Sequence, residues 1–473
     1  MIQPLPNIFP KTKDAYIVGG SVRDLIRGQS PTDYDITVFT DLGKFAEMIT
    51  ASQKGRIVEI GKPGKMVTRV ILKDFTVDIV SGAGSNIHED LKKRDFTINA
   101  MACDLSTGEV IDCVDGMEDL KNKTIRMVSE DAFIKDPVRM VRAFRLGASL
   151  GFEIEPLTAS AIKNNANHIK HSAGERIRSE LLKILRTSNA FTFISKMADA
   201  RLLFEIIPEL TALKECRQNN HHQYDVFNHT MKALQYLESI IDKNTHFMPE
   251  NSDLLDPFIK SEKGALLKFA ILLHDIGKPP AKTKDEKSRI KFHGHESISA
   301  DMAASICRRL RFSAHETEYV NFIIKSHLWP LSLYISYQNK TLKKKWINRF
   351  FMKCKDNTLD LLLHAIADFK GKDSDNSEKS RVFEAFAKDI IRSFLMEFMP
   401  KAQEPPLITG NDLVKELGLP PSPVFKTLLD KVEEARISNE INTKEEALHL
   451  AEKILKDKDH LQNQQETSLN RLL

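Results

Sequence analysis

Carboxylates near the N-terminus are spaced so that they could bind a divalent cation. Asp33 and Asp35 flank a tyrosine at the start of the run DYDITVF, which is typical of a β-strand. Residues i and i+2 of a strand point to the same face, so these two carboxylates would lie side by side. Asp78 lies inside another apolar run, FTVDIV, where an acid is costly unless it is paired or bound to a metal. Such a set suits Mg²⁺, which keeps positions open for phosphate oxygens.

A glycine pair in front of these acids indicates a possible phosphate contact. Gly19 and Gly20 follow the apolar run YIV and lead into VRDLIRG, which has helical spacing. Glycine lets backbone N–H groups approach a phosphate, and the start of a helix favours an anion. Arg23 would add a guanidinium that binds phosphate oxygens in pairs. A simple turn between two strands, followed by surface aspartates, is the alternative for this stretch alone.

Charged residues also interrupt the apolar segment RDFTINAMA, which we predict to be helical. Asp95 and Asn99 are four positions apart and would share a face of that helix, with Arg94 beside them. A capping or solvent-exposed role is the alternative for these three residues.

The segment KDPVRMVRAFR predicts a helix with Pro137 in its first turn and Asp136 at its N-cap. Arginines recur along it at every third position: Arg139, Arg142 and Arg145. From the spacing alone, these residues could be a helix cap and a solvated face, or they could bind a ligand.

Histidines and aspartates recur in the second half of the chain in the order H…HD…H…H…D. The residues are His229, His274, Asp275, His295, His327 and Asp368, with His293 two positions before His295. Imidazole and carboxylate groups on several helices can converge on one or two metal ions. Any one of these histidines could be a core or surface residue, but the order as a whole favours a metal centre.

The elements that would position these residues change in type along the chain. The first 125 residues or so contain five strand-like runs, namely YIVGG, DYDITVF, RIVEI, MVTRVIL and FTVDIV, separated by two helical stretches. From about residue 130 the pattern is helical. The sequence therefore predicts an α+β fold, with a mixed sheet and helices at the N-terminus followed by an all-helical body.

Composition limits the class of protein. The 473 residues carry a net charge of +4, with 41% apolar and 28% charged residues, which is ordinary for a globular protein. Clusters of basic residues at 92–94, 139–145, 175–178 and 343–346 permit a nucleic-acid partner. Five cysteines, an odd number without a CxxC pair, indicate reduced thiols and a cytoplasmic location. No apolar run approaches the ~18 residues of a membrane span.

Five motifs in order resemble the class II tRNA nucleotidyltransferase and bacterial poly(A) polymerase family. They are GGSVRD…DYD, RDFTINAMA, DGMEDL, DPVRMVRAFR and ERIRSEL, within residues 14–215. The resemblance implies a head of the polymerase-β type, in which Mg²⁺ bound by Asp33 and Asp35 activates a 3′-hydroxyl for attack on the α-phosphate of a nucleotide. Asp78 would be a third catalytic acid. The implied partners are the 3′ end of tRNA and CTP, ATP or both.

The resemblance also implies how the base is chosen. In the family an Asp and an Arg of an EDxxR motif hydrogen-bond the base edge, and here Asp136 and Arg139 match while Lys135 replaces the Glu. Arg94, Asp95 and Asn99 match the motif that handles the sugar and the triphosphate. The full set of nucleotide-binding residues expected is Gly19, Gly20, Arg23, Arg94, Asp95, Asn99, Asp136, Arg139 and Arg142.

The interval between Asp78 and Arg94 is short. Family members that add the complete CCA end usually carry a longer flexible segment there, so this chain resembles enzymes that add only CC. Poly(A) polymerase activity on RNA 3′ ends is the alternative with the same chemistry.

The histidine set resembles the HD phosphohydrolase superfamily. The resemblance implies one metal on His229, His274, Asp275 and Asp368, and a second completed by His295 and His327. The ion would be a divalent transition metal, and the activity that of a phosphatase or phosphodiesterase. An HD phosphohydrolase whose head only binds RNA is the alternative from a different class.

The expected domains are the nucleotidyltransferase head, 1–128, a helical neck for base recognition and RNA binding, 129–215, the HD domain, 216–400, and a C-terminal helical module, 401–473. The sequence leaves the oligomeric state open.

Overall fold

The chain divides into two compact units in a computed structural model. The structure describes residues 9–52, 54–62, 65–216, 225–242, 262–372 and 377–469. The first unit is Met1–Thr211 with the short segments Ile259–Ala265 and Ser305–Ala314, and the remainder of the chain forms the second unit. The fourfold division into domains at residues 128, 215 and 400 stays a prediction.

A seven-stranded mixed sheet forms the centre of the first unit, in the order β3-β4-β5-β2-β1-β6-β7. Its strands are β1 (Ala15–Val18), β2 (Asp33–Val38), β3 (Arg56–Lys62), β4 (Lys65–Ile71), β5 (Thr76–Ser81), β6 (Met101–Asp104) and β7 (Val110–Asp112). The pair β2 and β5 is parallel, and the other pairs are antiparallel. All five strands predicted from the sequence are confirmed.

The predicted helix over RDFTINAMA is wrong. Only Thr97–Asn99 forms a single 3₁₀ turn, and Met101–Asp104 is strand β6, paired with β1. The reason is burial on both faces, because Met101, Ala102 and Cys103 are each no more than 1% exposed. A fully buried strand reads as a continuous apolar run, which sequence periodicity cannot separate from a buried helix.

Helices and two short strands complete the first unit. They are α1 (Gly20–Ile26), α2 (Leu42–Ser52), α3 (Ile87–Leu91), α4 (Gly116–Lys121), β8 (Thr124–Ile125), α5 (Ala132–Lys135), α6 (Val138–Leu150), β9 (Glu153–Ile154), α7 (Pro156–Asn165), α8 (Gly174–Leu185), α9 (Ala190–Asp199) and α10 (Leu202–Ile206). Helix α6 begins at Val138 with Pro137 as its N-cap, so the predicted N-cap role of Asp136 is wrong. Proline supplies a preset φ at the start of the helix, which leaves the Asp136 side chain available for other contacts.

The second unit is helical in its described residues, apart from a small hairpin of two strands with two residues each. Its elements are α11 (Val226–Asp242), α12 (Glu262–Leu273), α13 (Lys278–Ala281), β10 (Thr283–Lys284), β11 (Ile290–Lys291), α14 (His295–Arg309), α15 (Ala314–Ser326), α16 (Trp329–Gln338), α17 (Lys344–Cys354), α18 (Thr358–Gly371), α19 (Glu378–Ser393), α20 (Met399–Gln403), α21 (Gly410–Leu417), α22 (Val424–Ile437) and α23 (Lys444–Leu469). The first turn of α12, the end of α14 and the first residue of α15 belong to the first unit. Helices α11 and α18 pack along each other and bring His229 close to Asp368.

The C-terminal helices enclose an apolar cluster of their own, which includes Leu413, Leu428, Val432 and Ala447. In the described part of the chain no helix combines the length and the apolar character needed to cross a membrane.

Candidate active site and metal centre

The three acids of the head lie on neighbouring strands. The parallel register of β2 and β5 places Asp35 opposite Asp78, and Asp33 opposite Thr76. Asp33 and Asp35 are exposed on one face of β2, and Tyr34 between them is buried on the other. The Thr76 hydroxyl donates to Asp33 Oδ1 at 2.5 Å, which fixes that carboxylate. The local cause is the pleat of β2, whose apolar residues face the core and leave the acids outside.

The third acid, Asp78, forms an ion pair with an arginine of the neighbouring strand. Arg69 on β4 lies opposite Asp78 in the antiparallel register and donates to both of its carboxylate oxygens, at 2.6 and 2.7 Å. Pairing was one of the two explanations that the sequence left open for an acid inside an apolar run. The sequence did not indicate a role for Arg69, because it is a single arginine within strand β4 and belongs to no motif.

The acid face suits a hard cation. Protein atoms crowd the Asp35 carboxylate although it remains exposed. This crowding raises the pKa of Asp35, Arg94 lowers it, and Asp78 and Asp33 raise it, with a net increase. The carboxylates thus repel one another, and a divalent cation would relieve that repulsion. Carboxylate oxygens beside a surface open to phosphate are the donor set that Mg²⁺ prefers.

The glycine turn joins this face to helix α1. Gly19 has φ +69°, and a Cβ there would lie 3.2 Å from a guanidinium nitrogen of Arg94 and 3.6 Å from Asp35 Oδ2. Both the backbone angle and the close approach therefore favour glycine. The Ser21 hydroxyl accepts from the Asp35 N–H at 3.0 Å and donates to the Asp33 carbonyl at 3.0 Å. Ser21, which the sequence did not single out, thereby fixes the start of α1 against the acid strand.

A buried polar chain runs behind the turn. Arg23 pairs with Asp24 at 2.9 Å and donates to Asn99 Oδ1 at 2.8 Å. Asn99 donates to Asp95 Oδ1 at 3.3 Å, and Arg142 donates to the other Asp95 oxygen at 3.1 Å. Asp95 and Asn99 are therefore in contact although they do not share a helix.

Arg142 continues this network to helix α8. Glu180 is 5% exposed, and it pairs with Arg142 at 3.5 Å and with Arg145 at 3.0 Å. Burial alone would lower the pKa of Arg142, but the carboxylates of Asp95 and Glu180 raise it above its ordinary value. Glu180, which the sequence did not indicate, links the arginines of α6 to the neighbouring helix.

The two predicted base-recognition residues contact different parts of the protein. Arg176 of α8 donates to both carboxylate oxygens of Asp136, at 2.9 and 2.8 Å. Burial raises the pKa of Asp136, but Arg176 outweighs it and holds the pKa below its ordinary value. Arg139 donates to the backbone carbonyls of Lys93 and Arg94, at 3.0 and 3.3 Å. Arg94 in turn pairs with Asp90 at 2.8 Å.

The second unit gathers the histidine set into two buried triads. His229, His274 and Asp368 form the first triad, and Asp275, His295 and His327 the second. The potential ligand atoms within each triad lie within 4.8 Å of one another. The described carboxylates of the head form no group this compact.

Hydrogen bonds orient these imidazoles for metal binding. The Nδ1 atoms of His274, His295 and His327 lie 2.7, 2.8 and 2.6 Å from backbone carbonyls three residues earlier. Each Nδ1–H therefore donates outward and each Nε2 is directed into the site, which is the usual orientation of a metal-binding histidine. The Nε2 atoms of His274 and His295 are buried, and no described residue forms a hydrogen bond with them.

The electrostatics of the triads also favour a cation. Burial raises the pKa of Asp368, but Lys372 and the neighbouring histidines outweigh it and hold the pKa well below its usual range. Burial lowers the pKa of His274, yet the carboxylates of Asp275 and Asp368 raise it to about 9. Burial and the charge of His274 lower the pKa of His327 to about 3, so that imidazole stays neutral. Two ionised carboxylates among imidazoles suit a divalent transition metal.

Two lysines lie at the carboxylates. Lys278 pairs with Asp275 Oδ2 at 2.6 Å, and Lys372 with Asp368 Oδ2 at 2.6 Å. The sequence did not indicate either lysine, although both follow an acid at helical spacing. Gly277 permits close packing here, since a Cβ would lie 2.6 Å from the His295 carbonyl oxygen.

Family models match three parts of the chain. Residues 15–126 match the Poly A polymerase head domain, residues 151–214 the probable RNA and SrmB-binding site of polymerase A, and residues 226–368 the HD domain. The A-adding tRNA nucleotidyltransferase of Deinococcus radiodurans is 31% identical over 455 residues, which cover 94% of this chain and 97% of that protein. The chain belongs to the tRNA nucleotidyltransferase family. The resemblance drawn from the five motifs is thus confirmed.

Other members of the family are more distant. The CC-adding tRNA nucleotidyltransferase of Thermus thermophilus is 28% identical over 93% of both chains. The Thermotoga maritima CCA-adding enzyme, solved in complex with tRNA, superposes with a TM-score of 0.60 at 22% identity, over 93% of this chain and 91% of that one. A CCA-adding enzyme solved with CTP gives a TM-score of 0.62 at 21% identity over the same shares. These structures show the fold, and the predicted α+β head with a helical HD-containing body is confirmed.

Proposed function

We propose that this chain adds nucleotides to the 3′ end of tRNA without a template and that it stops after two cytidines. Asp33 and Asp35 would hold Mg²⁺, with Asp78 beside them. The bound ions would activate the 3′-hydroxyl of the RNA and neutralise charge on the phosphates. Gly19 and the start of α1 would approach the triphosphate, and Arg23, Asn99 and Asp95 would support that surface through their hydrogen-bond chain.

The proposal that addition stops after CC rests on the structure of the segment between β5 and Arg94. Its backbone is tied to helix α3, since the Ala83 N–H donates to Asp90 at 3.0 Å and Lys93 donates to the Ala83 carbonyl at 2.9 Å. The Ser85 N–H donates to Glu89 at 3.1 Å. The interval is therefore a short turn, held by these hydrogen bonds, that leads directly into helix α3. Addition of the complete CCA end is expected to need a longer flexible segment here.

The base would be recognised by Asp136 and Arg139. Cytosine presents an exocyclic amine beside a ring nitrogen and a carbonyl oxygen. The Asp136 carboxylate can accept from the amine while Arg139 donates to the acceptors. Adenine also offers an amine beside an acceptor, so one pair of residues can serve either base.

Addition of the terminal A is the second candidate for the head. It is favoured by the Deinococcus relative, which is named A-adding and shares 31% identity, against 28% for the CC-adding relative from Thermus. The two candidates act on different tRNA ends, so a single assay separates them.

That assay measures incorporation of labelled CTP and ATP into three forms of one tRNA: without its CCA end, ending in CC, and intact. CC addition predicts two cytidines on the first form and no AMP on the second. Efficient AMP addition to the second form, with no CMP on the first, would assign the A step instead. Long A tails on an unrelated RNA would indicate poly(A) polymerase.

We further infer that the second unit carries a metal-dependent phosphoester hydrolase. This inference is supported by the two buried triads and by the two lysines that pair with their carboxylates. A bound divalent metal would activate water for attack on phosphorus. Hydrolysis of phosphate esters of nucleotides or RNA ends should require Asp275, whereas CMP incorporation should not change in Asp275→Asn. Hydrolysis that persists in this variant would refute the inference.

We propose that the protein acts in the cytoplasm. All five cysteines are free thiols, and four of them are buried. Free thiols suit the reducing compartment in which tRNA is processed.

A further inference from the structure

A fifth buried histidine lies beside the two triads, outside the H…HD…H…H…D order. His364 is on α18, one turn before Asp368, so both side chains project from the same face of that helix. Its exposed fraction is 0%. The sequence gave no reason to single it out, because it lies in the apolar run LLLHAIADF.

The ring of His364 contacts one histidine of each triad. Its centroid lies 5.1 Å from that of His274 in the first triad and 5.7 Å from that of His327 in the second. His274 and His327 are themselves 5.3 Å apart. The three imidazoles therefore form a cluster in which His364 lies beside one histidine of each triad.

Both ring nitrogens of His364 lack a hydrogen-bond partner among the described residues. Burial of an imidazole without hydrogen-bond partners is unfavourable, because each unsatisfied nitrogen loses its bond to water and gains none in the protein. The histidines at 274, 295 and 327 each satisfy Nδ1 with a backbone carbonyl, and His364 does not. Packing alone does not explain why a side chain with two polar nitrogens lies here. An apolar side chain of similar size would fill the same space without leaving polar atoms unsatisfied.

We propose that His364 is a seventh ligand of the metal centre, donating a ring nitrogen to an ion shared with the triads. The proposal rests on the proposed metal centre of the second unit. With His364 the site offers five imidazoles and two carboxylates, a set that favours an imidazole-binding transition metal such as Co²⁺, Ni²⁺ or Fe²⁺ over Mg²⁺. The side chain thereby becomes a determinant of which metal the enzyme holds.

The test is Co²⁺ binding to the full chain, measured by metal content after equilibrium dialysis and by visible absorption. His364→Gln should bind Co²⁺ at least tenfold more weakly than wild type at one or more sites. His293→Gln is the matched control, because His293 lies two residues from His295 but is exposed. His364→Cys should keep bound Co²⁺ and gain a thiolate-to-cobalt charge-transfer band, which a packing residue would not produce.

The outcomes separate this inference from the one on which it rests. If His364→Gln binds Co²⁺ with unchanged affinity and spectrum while His274→Gln loses it, His364 is not a ligand and the metal centre stands. If wild type itself binds no Co²⁺, both inferences fail. Circular dichroism and CMP incorporation will show whether His364→Gln folds correctly. If it does not, His364→Cys decides whether residue 364 is a ligand. Bound cobalt without the thiolate band, or no bound cobalt in a folded cysteine variant, would overturn the proposal.

Discussion

Arg176 binds both carboxylate oxygens of Asp136, at 2.9 and 2.8 Å, from a helix that begins 38 residues after Asp136 in sequence. Lys135, which replaces the Glu of the family motif, is exposed and pairs with Asp131 at 2.5 Å. Arg176 is therefore the residue that holds in place the acid of the proposed base-recognition pair.

Replacement of Arg176 should weaken base selection. In Arg176→Gln the Asp136 carboxylate loses two charge-assisted hydrogen bonds and samples other orientations. We expect kcat/KM for CTP on tRNA without its CCA end to fall about tenfold, equivalent to about 1.4 kcal/mol, and discrimination against ATP to decrease. Lys183→Gln, an exposed change on the same helix, is the control. Unchanged kinetics and discrimination in Arg176→Gln would contradict this role.

The paired acids of β2 should be essential for transfer. Asp33→Ala and Asp35→Ala each remove a proposed Mg²⁺ ligand, which would cost several kcal/mol of transition-state stabilisation, or a rate loss of about a thousandfold. Single-turnover CMP incorporation measures the loss, and a filter-binding assay should show unchanged tRNA affinity. Asp74→Asn, in the exposed turn before β5, should behave as wild type. Incorporation that survives Asp33→Ala would rule out the proposed active site.

A double-mutant cycle should separate the two possible roles of Asp78. If Asp78 serves only as the partner of Arg69, then Asp78→Asn, Arg69→Gln and the double variant will lose similar activity. If Asp78 also contacts the metal, Asp78→Asn should lose at least tenfold more activity than Arg69→Gln. We expect the second result, because Asp78 lies directly opposite Asp35 in the β-sheet register.

Acid should selectively weaken helix α21. The Asp412 carboxylate accepts from Thr409 at 2.7 and 2.8 Å and pairs with Lys444 at 2.6 Å. Lys444 and then Thr409 hold the pKa of Asp412 well below its usual range. Because the folded-state pKa is depressed, the stabilisation is complete above the unfolded pKa of about 3.9 and is lost as pH falls through the folded value.

Hydrogen exchange of the α21 amides measures this effect. At neutral pH, Asp412→Asn should exchange faster than wild type, and the difference should shrink steadily below about pH 4. Asp430→Asn on the neighbouring helix α22 should show no such pH-dependent difference. A gap between Asp412→Asn and wild type that is the same at pH 3 and pH 7 would contradict the assignment.

The local pattern of apolar and polar residues was sufficient to predict most helices and strands. It failed where a segment is buried on all sides and therefore shows no alternation. Strands β2 and β5 alternate or run apolar between turns, so their extended form follows from sequence. The segment around Met101 is apolar on every side, and only pairing with β1 decides that it is a strand. Asp136 shows the same limit at a helix end, because its side chain bonds Arg176 of α8 and makes no cap hydrogen bond to α6.

The sequence by itself determined the family, the acid strand and the histidine series, because each depends on residue types at short, fixed spacings. The tertiary structure alone decided the partners: Arg69 for Asp78, Arg176 for Asp136, and His364 for the triads. These contacts join residues on different strands or helices, or depend on the burial of a single side chain. Spacing along the chain carries no information about such contacts, since they arise only when separate elements pack and remove water from the groups between them.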